Sequence, residues 1–183
     1  MHILAISGSL RATSSNTTLL KAAAALAPAG VAIALYDRLG DLPHFNPDLD
    51  DIERGIAPPA VLAFRALLNQ ADGVLICSPE YAHGVPGTLK NALDWVVSSG
   101  ELLGKPVALL KASRATYAHA ALKETLSVIL AQIVDEEWLS IPLPGNRVDL
   151  AGLLAHAEIP ALLGHAMAAF VHTIHAGRSE TSS

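Results

Sequence analysis

The sequence has little cysteine and few aromatic residues. Among its 183 residues there is one cysteine, Cys77, and aromatic side chains make up 4%. A single cysteine excludes an intrachain disulfide, and a chain of this length buries roughly 70% of the surface that its unfolded form exposes. We therefore expect one domain that needs no disulfide or metal, in which Cys77 ends an apolar strand as a small hydrophobic residue.

Basic residues are also scarce, and they do not cluster. The chain has 12 Lys and Arg against 17 Asp and Glu, a net charge of −5. This composition predicts no nucleic-acid partner. No charged leader precedes the first apolar run, and each apolar stretch is interrupted well before ~18 residues, so we expect no signal peptide, no membrane-spanning helix and a cytoplasmic location.

The chain contains 8 histidines, which raises the question of a metal site. His165, His172 and His175 fall on one predicted helix, and the last two are three positions apart. Neither a carboxylate nor a cysteine lies nearby to complete a ligand set. We expect these histidines to be solvated or to lie at an interface, and we predict no metal.

The abundant apolar residues are arranged as short runs that alternate with helical patterns. With 51% hydrophobic residues, the composition is typical of a parallel sheet covered by helices on both faces. Candidate strands span 3–6, 31–36, 73–77, 106–110 and 138–142, and candidate helices span 19–26, 62–71, 86–97, 120–134 and 160–176. This order predicts a doubly wound, five-stranded parallel sheet.

Two further segments have a predicted role in packing or at the surface. On the helix at 120–134, three-and-four spacing gives an apolar stripe for the core, formed by Leu122, Leu126, Ile129, Leu130 and Ile133. The longest irregular segment, 37–59, is rich in proline and carries Asp48, Asp50 and Asp51. Such a loop is functional, an interface element or simply solvated, and we expect its acidic residues to be solvated.

A hydroxyl-rich loop at residues 8–17, the first loop, joins the first strand to the first helix. Its sequence is Gly-Ser-Leu-Arg-Ala-Thr-Ser-Ser-Asn-Thr. The free N–H groups of a first helical turn favour a phosphate, and Arg11 adds a full charge. The sequence lacks the Gly-Lys-Ser/Thr and G-x-G-x-x-G patterns of nucleotide loops, which favours a metal-free monophosphate. Alternatively, these hydroxyls only cap the helix.

A second loop, residues 78–87, follows the third strand. Pro79 fixes the local backbone direction, while Gly84 and Gly87 permit close approach of a flat heterocycle to backbone amides. With strand order 2-1-3-4-5, both loops open onto the same crevice at the carboxyl ends of the strands. The alternative is a proline-glycine turn that only starts a helix at Pro86.

These two loops together resemble the NADPH-dependent FMN reductase family. The resemblance rests on Gly-Ser-Leu-Arg at 8–11 with Ser14 and Asn16, on Pro-Glu-Tyr at 79–81, and on the Pro-Gly and Leu-Lys-Asn-Ala-Leu-Asp-Trp segments at 86–87 and 89–95. It extends from the first strand to about Ser113. It implies a flavodoxin-like fold at residues 1–177 with a flexible tail at 178–183, FMN at the strand ends, and a homodimer or homotetramer.

The resemblance also implies roles for individual residues. It places the FMN phosphate on Ser9, Arg11, Ser14, Asn16 and Thr17, the isoalloxazine along Pro79, Glu80, Tyr81 and Gly84, and further cofactor contacts at Ser15, Ala82, His83 and Ser113. Two features depart from the family pattern. Ala82 stands where relatives commonly have Asn, and the loop at 112–117 is poor in glycine. We hypothesise that Arg114 in that loop pairs with a nicotinamide-cofactor phosphate or an anionic acceptor.

The implied activity is hydride transfer from NADPH through FMN to a small acceptor such as a flavin, a quinone, an azo compound or an oxidised metal anion. The cofactor carries this chemistry, so no catalytic side chain is predicted. Two alternatives remain open: an electron carrier of the flavodoxin type, and an FMN-binding redox sensor without turnover.

Overall fold

Five short apolar runs form the strands of a parallel sheet in the computed structural model, which describes residues 1–112, 116–134, 136–145 and 148–180. The strands are β1 (His2–Ser7), β2 (Ala32–Tyr36), β3 (Gly73–Cys77), β4 (Pro106–Leu109) and β5 (Gln132–Val134). Their order is β2-β1-β3-β4-β5, and every neighbouring pair is parallel. The predicted fold class and strand order are therefore confirmed.

Within the described residues, six helices connect or flank the strands. They are α1 (Ser15–Ala25), α2 (Pro59–Gln70), α3 (Gly87–Asp94), α4 (Tyr117–Val128), α5 (Leu150–Leu154) and α6 (Ile159–Glu180). Short 3-10 turns occur at Leu39–Asp41, Pro47–Leu49 and Glu137–Leu139. Because each parallel pair requires a crossover, the helices divide between the two faces of the sheet.

Alternating side chains of the strands supply two separate cores. On one face, Leu4 of β1 and Val74 of β3 pack with α2, α3 and α4. On the other face, Ala5 and Cys77 pack with α1, α5 and α6. This alternation follows from the two-residue period of a strand. It places Cys77 on the same side of the sheet as α1.

The predicted fifth strand at 138–142 was wrong, and so was the predicted end of the helix at 120–134. α4 ends at Val128, and Leu130 then adopts a left-handed conformation with φ of 58°. The chain turns there, so that Ile133 pairs with Val107 on β4. Of the predicted apolar stripe, Leu130 is 63% exposed and Ile133 belongs to β5. Pairing with β4 therefore ends the helix, although the helical spacing of apolar residues continues in the sequence.

The longest helix, α6, continues past the predicted end at 176. Its segment Ile159–Gly177 is long and apolar enough to cross a membrane by length and composition alone, which the sequence prediction had not anticipated. Leu163, Met167 and Phe170 are fully buried in the core beside β3. Packing against the sheet thus accounts for part of the apolar composition of this helix, since 33% of the segment is buried.

The acidic segment 37–59 is tied to the domain, and the expectation that Asp50 is solvated was wrong. Both carboxylate oxygens of Asp50 accept hydrogen bonds at 2.9 Å from Nη2 of Arg65 on α2. The two side chains are 3% and 8% exposed. Arg65 also donates to the Trp95 carbonyl at 3.0 Å, and Ser98 donates to Asp50 at 2.6 Å. The aspartate neutralises an arginine that the fold has already buried.

Candidate functional site

The first and second loops leave the sheet side by side, between β1 and β3. Ser7 pairs with Cys77 at the ends of these strands, and the Gly8 N–H donates to the Cys77 carbonyl at 2.9 Å. A Cβ on Gly8 would lie 2.4 Å from Oγ of Ser78 and 3.2 Å from Leu89. β2 lies beyond β1 and β4 beyond β3, so the two loops open at the point where the strand order diverges, as the sequence predicted.

Hydroxyl groups organise the backbone of the first loop. Ser14 is the N-cap of α1 and accepts a hydrogen bond from the Thr17 N–H at 3.4 Å. The Thr17 hydroxyl donates to Oγ of Ser7 at 2.8 Å, and the Ser9 N–H donates to the same oxygen at 3.3 Å. The capping interpretation is therefore correct for Ser14. The Ser7 hydroxyl oxygen accepts both of these last two bonds and so connects Ser9 with Thr17. Ser7 was not among the site residues predicted from the sequence.

Two predicted phosphate contacts, Asn16 and Thr17, and the further predicted cofactor contact Ser15 lie in the first turn of α1. Ser15, Asn16 and Thr17 are the first residues of that helix. N–H groups at the first positions of a helix have no acceptor within the helix, and the helix dipole favours an anion there. Ser9 and Asn16 are buried, whereas Arg11 is exposed. The turn offers uncharged donors, and Arg11 is free to approach from solvent.

Arg11 lies beside an open cavity. Together with Lys21, it lines a cavity of about 540 Å³ that also borders Thr13, Thr18 and Asp149 at the N-cap of α5. Arg11 lies in the first loop, and Lys21 lies on α1, the helix that follows this loop. This edge of the site therefore has the charge that a phosphate-bearing ligand requires.

A buried thiol contacts the first turn of α1. Sγ of Cys77 lies 3.2 Å from Oδ1 of Asn16, across a separation of 61 residues. Burial raises the pKa of Cys77 to about 12, so the group is a neutral thiol in ordinary buffers. The structural role predicted for Cys77 is consistent with this environment, but its contact with Asn16 requires the folded chain and has no signal in the sequence.

The second loop makes a tight hairpin-like turn. Tyr81 and Gly84 exchange backbone hydrogen bonds at 3.1 and 2.9 Å, and Ala82 and His83 between them have φ of 48° and 59°. Positive φ at both central residues defines a type I′ turn, which favours Asn-Gly. Ala82 is therefore strained, and asparagine, which adopts positive φ more readily, would fit the backbone at this position better than alanine does.

Two contacts join the second loop to the start of α4. The Glu80 carboxylate accepts a hydrogen bond from the Ala118 N–H at 2.9 Å, in the first turn of α4. The His83 ring stacks on Tyr117, with centroids 4.2 Å apart and planes at 18°. Glu80 thus caps a helix whose N-cap residue, Thr116, provides no side-chain hydrogen bond.

The other predicted cofactor contacts lie in the second loop or outside the described residues. Pro79 and Gly84 are partly buried in the second loop, where Tyr81 is 54% exposed. Ser113 and Arg114 lie outside the described residues. Over the described residues, no three His, Cys, Asp or Glu side chains come together in a way that could hold a metal ion.

The donor set fits a phosphate monoester attached to a flat ring. The first loop provides hydroxyls and helix N–H groups, and the side chain of Asn16 is 8% exposed and lies among them. The second loop provides a backbone turn with exposed Tyr81 and His83. A magnesium-bound triphosphate would require the Gly-Lys-Ser/Thr of a nucleotide loop, and the first loop contains no lysine.

Comparison with known proteins agrees with this geometry. The family model for NADPH-dependent FMN reductase matches residues 1–143. The chain is 36% identical over 160 residues to an NAD(P)H-dependent FMN reductase of Pseudomonas aeruginosa, covering 84% of each chain. It is 34% identical over 155 residues to a quinone reductase of Escherichia coli K12, covering 81% of each.

A solved structure shares the whole fold. The flavoenzyme NAD(P)H:(acceptor) oxidoreductase of Paracoccus denitrificans superposes with a TM-score of 0.74 at 29% identity, covering 96% of this chain and 98% of that one. Fold and sequence agree, and this chain belongs to the NADPH-dependent FMN reductase family of oxidoreductases.

Proposed function

We propose that this enzyme holds FMN across the first and second loops and passes hydride from NADPH to a small acceptor, either a quinone, a flavin, an azo compound or an oxidised metal anion. The observation that carries the proposal is the pairing of Ser7 with Cys77, which brings a donor-rich helix start and a strained turn together at the switch point of the sheet.

The phosphate end of FMN would lie on the first turn of α1. Ser9, Ser14, Ser15 and Asn16 supply neutral donors there, while the Thr17 hydroxyl is bonded to Ser7 and supports the turn. Arg11 can reach the phosphate from solvent with a charged fork. Because Ser7 fixes Ser9 and Thr17 by hydrogen bonds, the loop is organised before a ligand arrives. Preorganisation of this kind lowers the entropic cost of binding.

The ring end of FMN would lie along the second loop. Pro79 and the Tyr81–Gly84 turn present backbone groups, while Glu80 is held by the Ala118 N–H on α4. With its carboxylate capping a helix, Glu80 is a positioning residue for the turn. The loop consequently meets the ring with uncharged groups at Ala82 and Gly84.

FMN, when bound, supplies the two-electron hydride chemistry, and the protein supplies binding and orientation. We propose that the exposed rings of Tyr81, His83 and Tyr117 form the wall of the slot in which the reactants meet the cofactor. Aromatic side chains favour flat partners by offset stacking. The relatives are named for quinones, among them a 2-hydroxy-1,4-benzoquinone reductase of a Burkholderia species, which supports a quinone as acceptor.

We also propose that the enzyme is a cytoplasmic homodimer or homotetramer. The segment between β2 and α2 exposes Leu49, Ile52 and Ile56 at 48%, 45% and 57%. Clustered apolar side chains of this size favour contact with another protein surface. Light scattering should therefore give two or four times the 19.1 kDa mass of the chain, and a monomer at micromolar concentration would contradict the proposal.

Anaerobic mixing of the FMN-loaded enzyme with NADPH tests the activity. We expect rapid two-electron bleaching of the flavin absorbance, followed by reoxidation when a quinone is added. Bleaching that is slow or stops at one electron would instead support an electron carrier, and no bleaching would support a redox sensor. A panel of flavins, quinones, azo dyes and metal anions then ranks the acceptors.

The role of Arg114 stays a separate hypothesis. Its position after β4 motivates pairing with a phosphate of NADPH or with an anionic acceptor. Arg114→Ala should weaken NADPH binding while FMN binding is retained. Unchanged NADPH affinity would remove this residue from the site.

A further inference from the structure

A buried hydrogen bond joins the end of β3 to the first turn of α1. Sγ of Cys77 and Oδ1 of Asn16 are 3.2 Å apart, with Cys77 fully buried and Asn16 8% exposed. We infer that the Cys77 thiol fixes the orientation of the Asn16 amide, so that its N–H donors, not its oxygen, face the FMN phosphate. The inference rests on the proposed function and makes Cys77 a positioning residue for the cofactor.

The identity of the donor follows from the chemistry of the two groups. Both the S–H donor and the sulfur acceptor of a thiol are weak. The backbone N–H of Ala112 already donates to the Cys77 sulfur, which leaves the S–H as the group that bonds the amide oxygen. Cys77 retains its proton in ordinary buffers because burial raises its pKa to about 12. The S–H bond therefore selects the amide orientation in which Oδ1 faces Cys77.

The other end of the amide is then available for a ligand. Within the described residues, Nδ2 of Asn16 has no hydrogen bond, although no buried side-chain nitrogen or oxygen there lacks a partner. Nδ2 therefore keeps some solvent-accessible surface. In the opposite orientation Oδ1 would occupy that place, and two acceptors, the amide oxygen and a phosphate oxygen, would repel each other.

The neighbouring side chain adds to the importance of Asn16. Thr17, in the same turn, already donates its hydroxyl proton to Ser7 at 2.8 Å. Its proton is not available to a phosphate unless that bond breaks. The Asn16 amide thus supplies side-chain donors that the adjacent threonine does not.

Binding of FMN and of riboflavin, which lacks the phosphate, tests the inference with matched variants. Cys77→Val removes the donor with little change in volume, and Cys77→Ser retains a donor. We expect Cys77→Val to raise the Kd for FMN about tenfold and to leave the Kd for riboflavin within about twofold. Cys77→Ser should bind FMN like the wild type.

Several results would overturn the inference. These are an equal loss of FMN and riboflavin in Cys77→Val, no loss of FMN, or a Cys77→Ser variant as weak as Cys77→Val. In an Asn16→Ala background, Cys77→Val should cause no further loss of FMN affinity. Failure of the wild type to bind either flavin would instead refute the proposed function, so the two failures are distinguishable.

Infrared spectroscopy provides a second readout that leaves Cys77 intact. The chain has one cysteine, so the S–H stretching band belongs to one residue. We expect the wild-type band at the lower wavenumber of a hydrogen-bonded donor and a shift to higher wavenumber in Asn16→Ala. An unshifted band would overturn the inference even if the Cys77 variants did not fold.

Discussion

At the scale of single residues, the site depends on close contacts between positions that are distant in sequence. Gly8 packs against Ser78, Glu80 caps α4 through Ala118, and Cys77 contacts Asn16. The sequence predicted that the two loops share a crevice, because both follow strands at the switch point. It could not predict which groups of the two loops, and of α4, would pair, since those contacts depend on strand register.

Gly8→Ala tests the contact between the two loops. The new Cβ would lie 2.4 Å from Oγ and 3.0 Å from Cβ of Ser78, so one loop must move. We expect a loss of about 1–3 kcal/mol in the free energy of unfolding and weaker FMN binding. Denaturant unfolding and a flavin titration measure both. Adding Ser78→Ala should restore part of each loss, and a double variant no better than the single one would contradict this explanation.

Cys77 should make stability depend on alkaline pH. Its pKa rises from an ordinary value of 9.0 to about 12 in the folded protein, because burial disfavours the thiolate. A raised pKa contributes stability that is complete below the unfolded pKa and is lost as pH rises through the folded one. Across this window the wild type should therefore lose unfolding free energy relative to Cys77→Ser. Parallel pH profiles of the two proteins would contradict the prediction.

At the scale of elements, local pattern predicted most strands and helices but failed where tertiary contacts decide. The helical pattern at 120–134 continues through Leu130. In the structure, however, Gln132–Val134 pair with β4 and form strand β5. The acidic segment 37–59 looks solvated in sequence, yet Asp50 is buried because Arg65 lies on the inner side of α2. Neither β4 nor Arg65 is adjacent in sequence to the residues that it contacts, so periodicity and composition could not predict these contacts.

A substitution that relieves strain in the turn at Ala82 and His83 should raise the free energy of unfolding. Alanine at φ of 48° is strained, while asparagine adopts this conformation more readily. We expect Ala82→Asn to raise the free energy of unfolding by about 0.5–1 kcal/mol and Ala82→Val to lower it. Denaturant unfolding at fixed temperature measures the pair. An asparagine variant no more stable than the valine variant would show that the turn is not strained.

The ion pair between Asp50 and Arg65 should hold the segment 37–59 on the domain. Removing Asp50 leaves the buried Arg65 with the more distant Glu101 carboxylate, 3.9 Å from Nε, as its counter-charge. Asp50→Ala should therefore lower the unfolding free energy by about 3 kcal/mol, the lower end of the cost of breaking a buried ion pair. The exposed Asp48→Ala is the matched control, and its effect should stay within about 0.5 kcal/mol. Equal effects of the two substitutions would mean that burial of Asp50 contributes nothing.

At the scale of the whole molecule, the fold places two donor-bearing loops at one end of a parallel sheet. The strand order fixes their proximity, and the family relationship fixes the class of chemistry. We expect the choice of acceptor to depend on the exposed rings of Tyr81, His83 and Tyr117. The central claim is that FMN binds across these loops with its phosphate at the start of α1.

Titration of the purified wild-type protein with FMN, followed by flavin fluorescence, tests that claim most directly. We predict saturable quenching at one FMN per chain, with riboflavin binding at least about tenfold more weakly because it lacks the phosphate. Equal affinity for FMN and riboflavin, or the absence of quenching, would contradict the account.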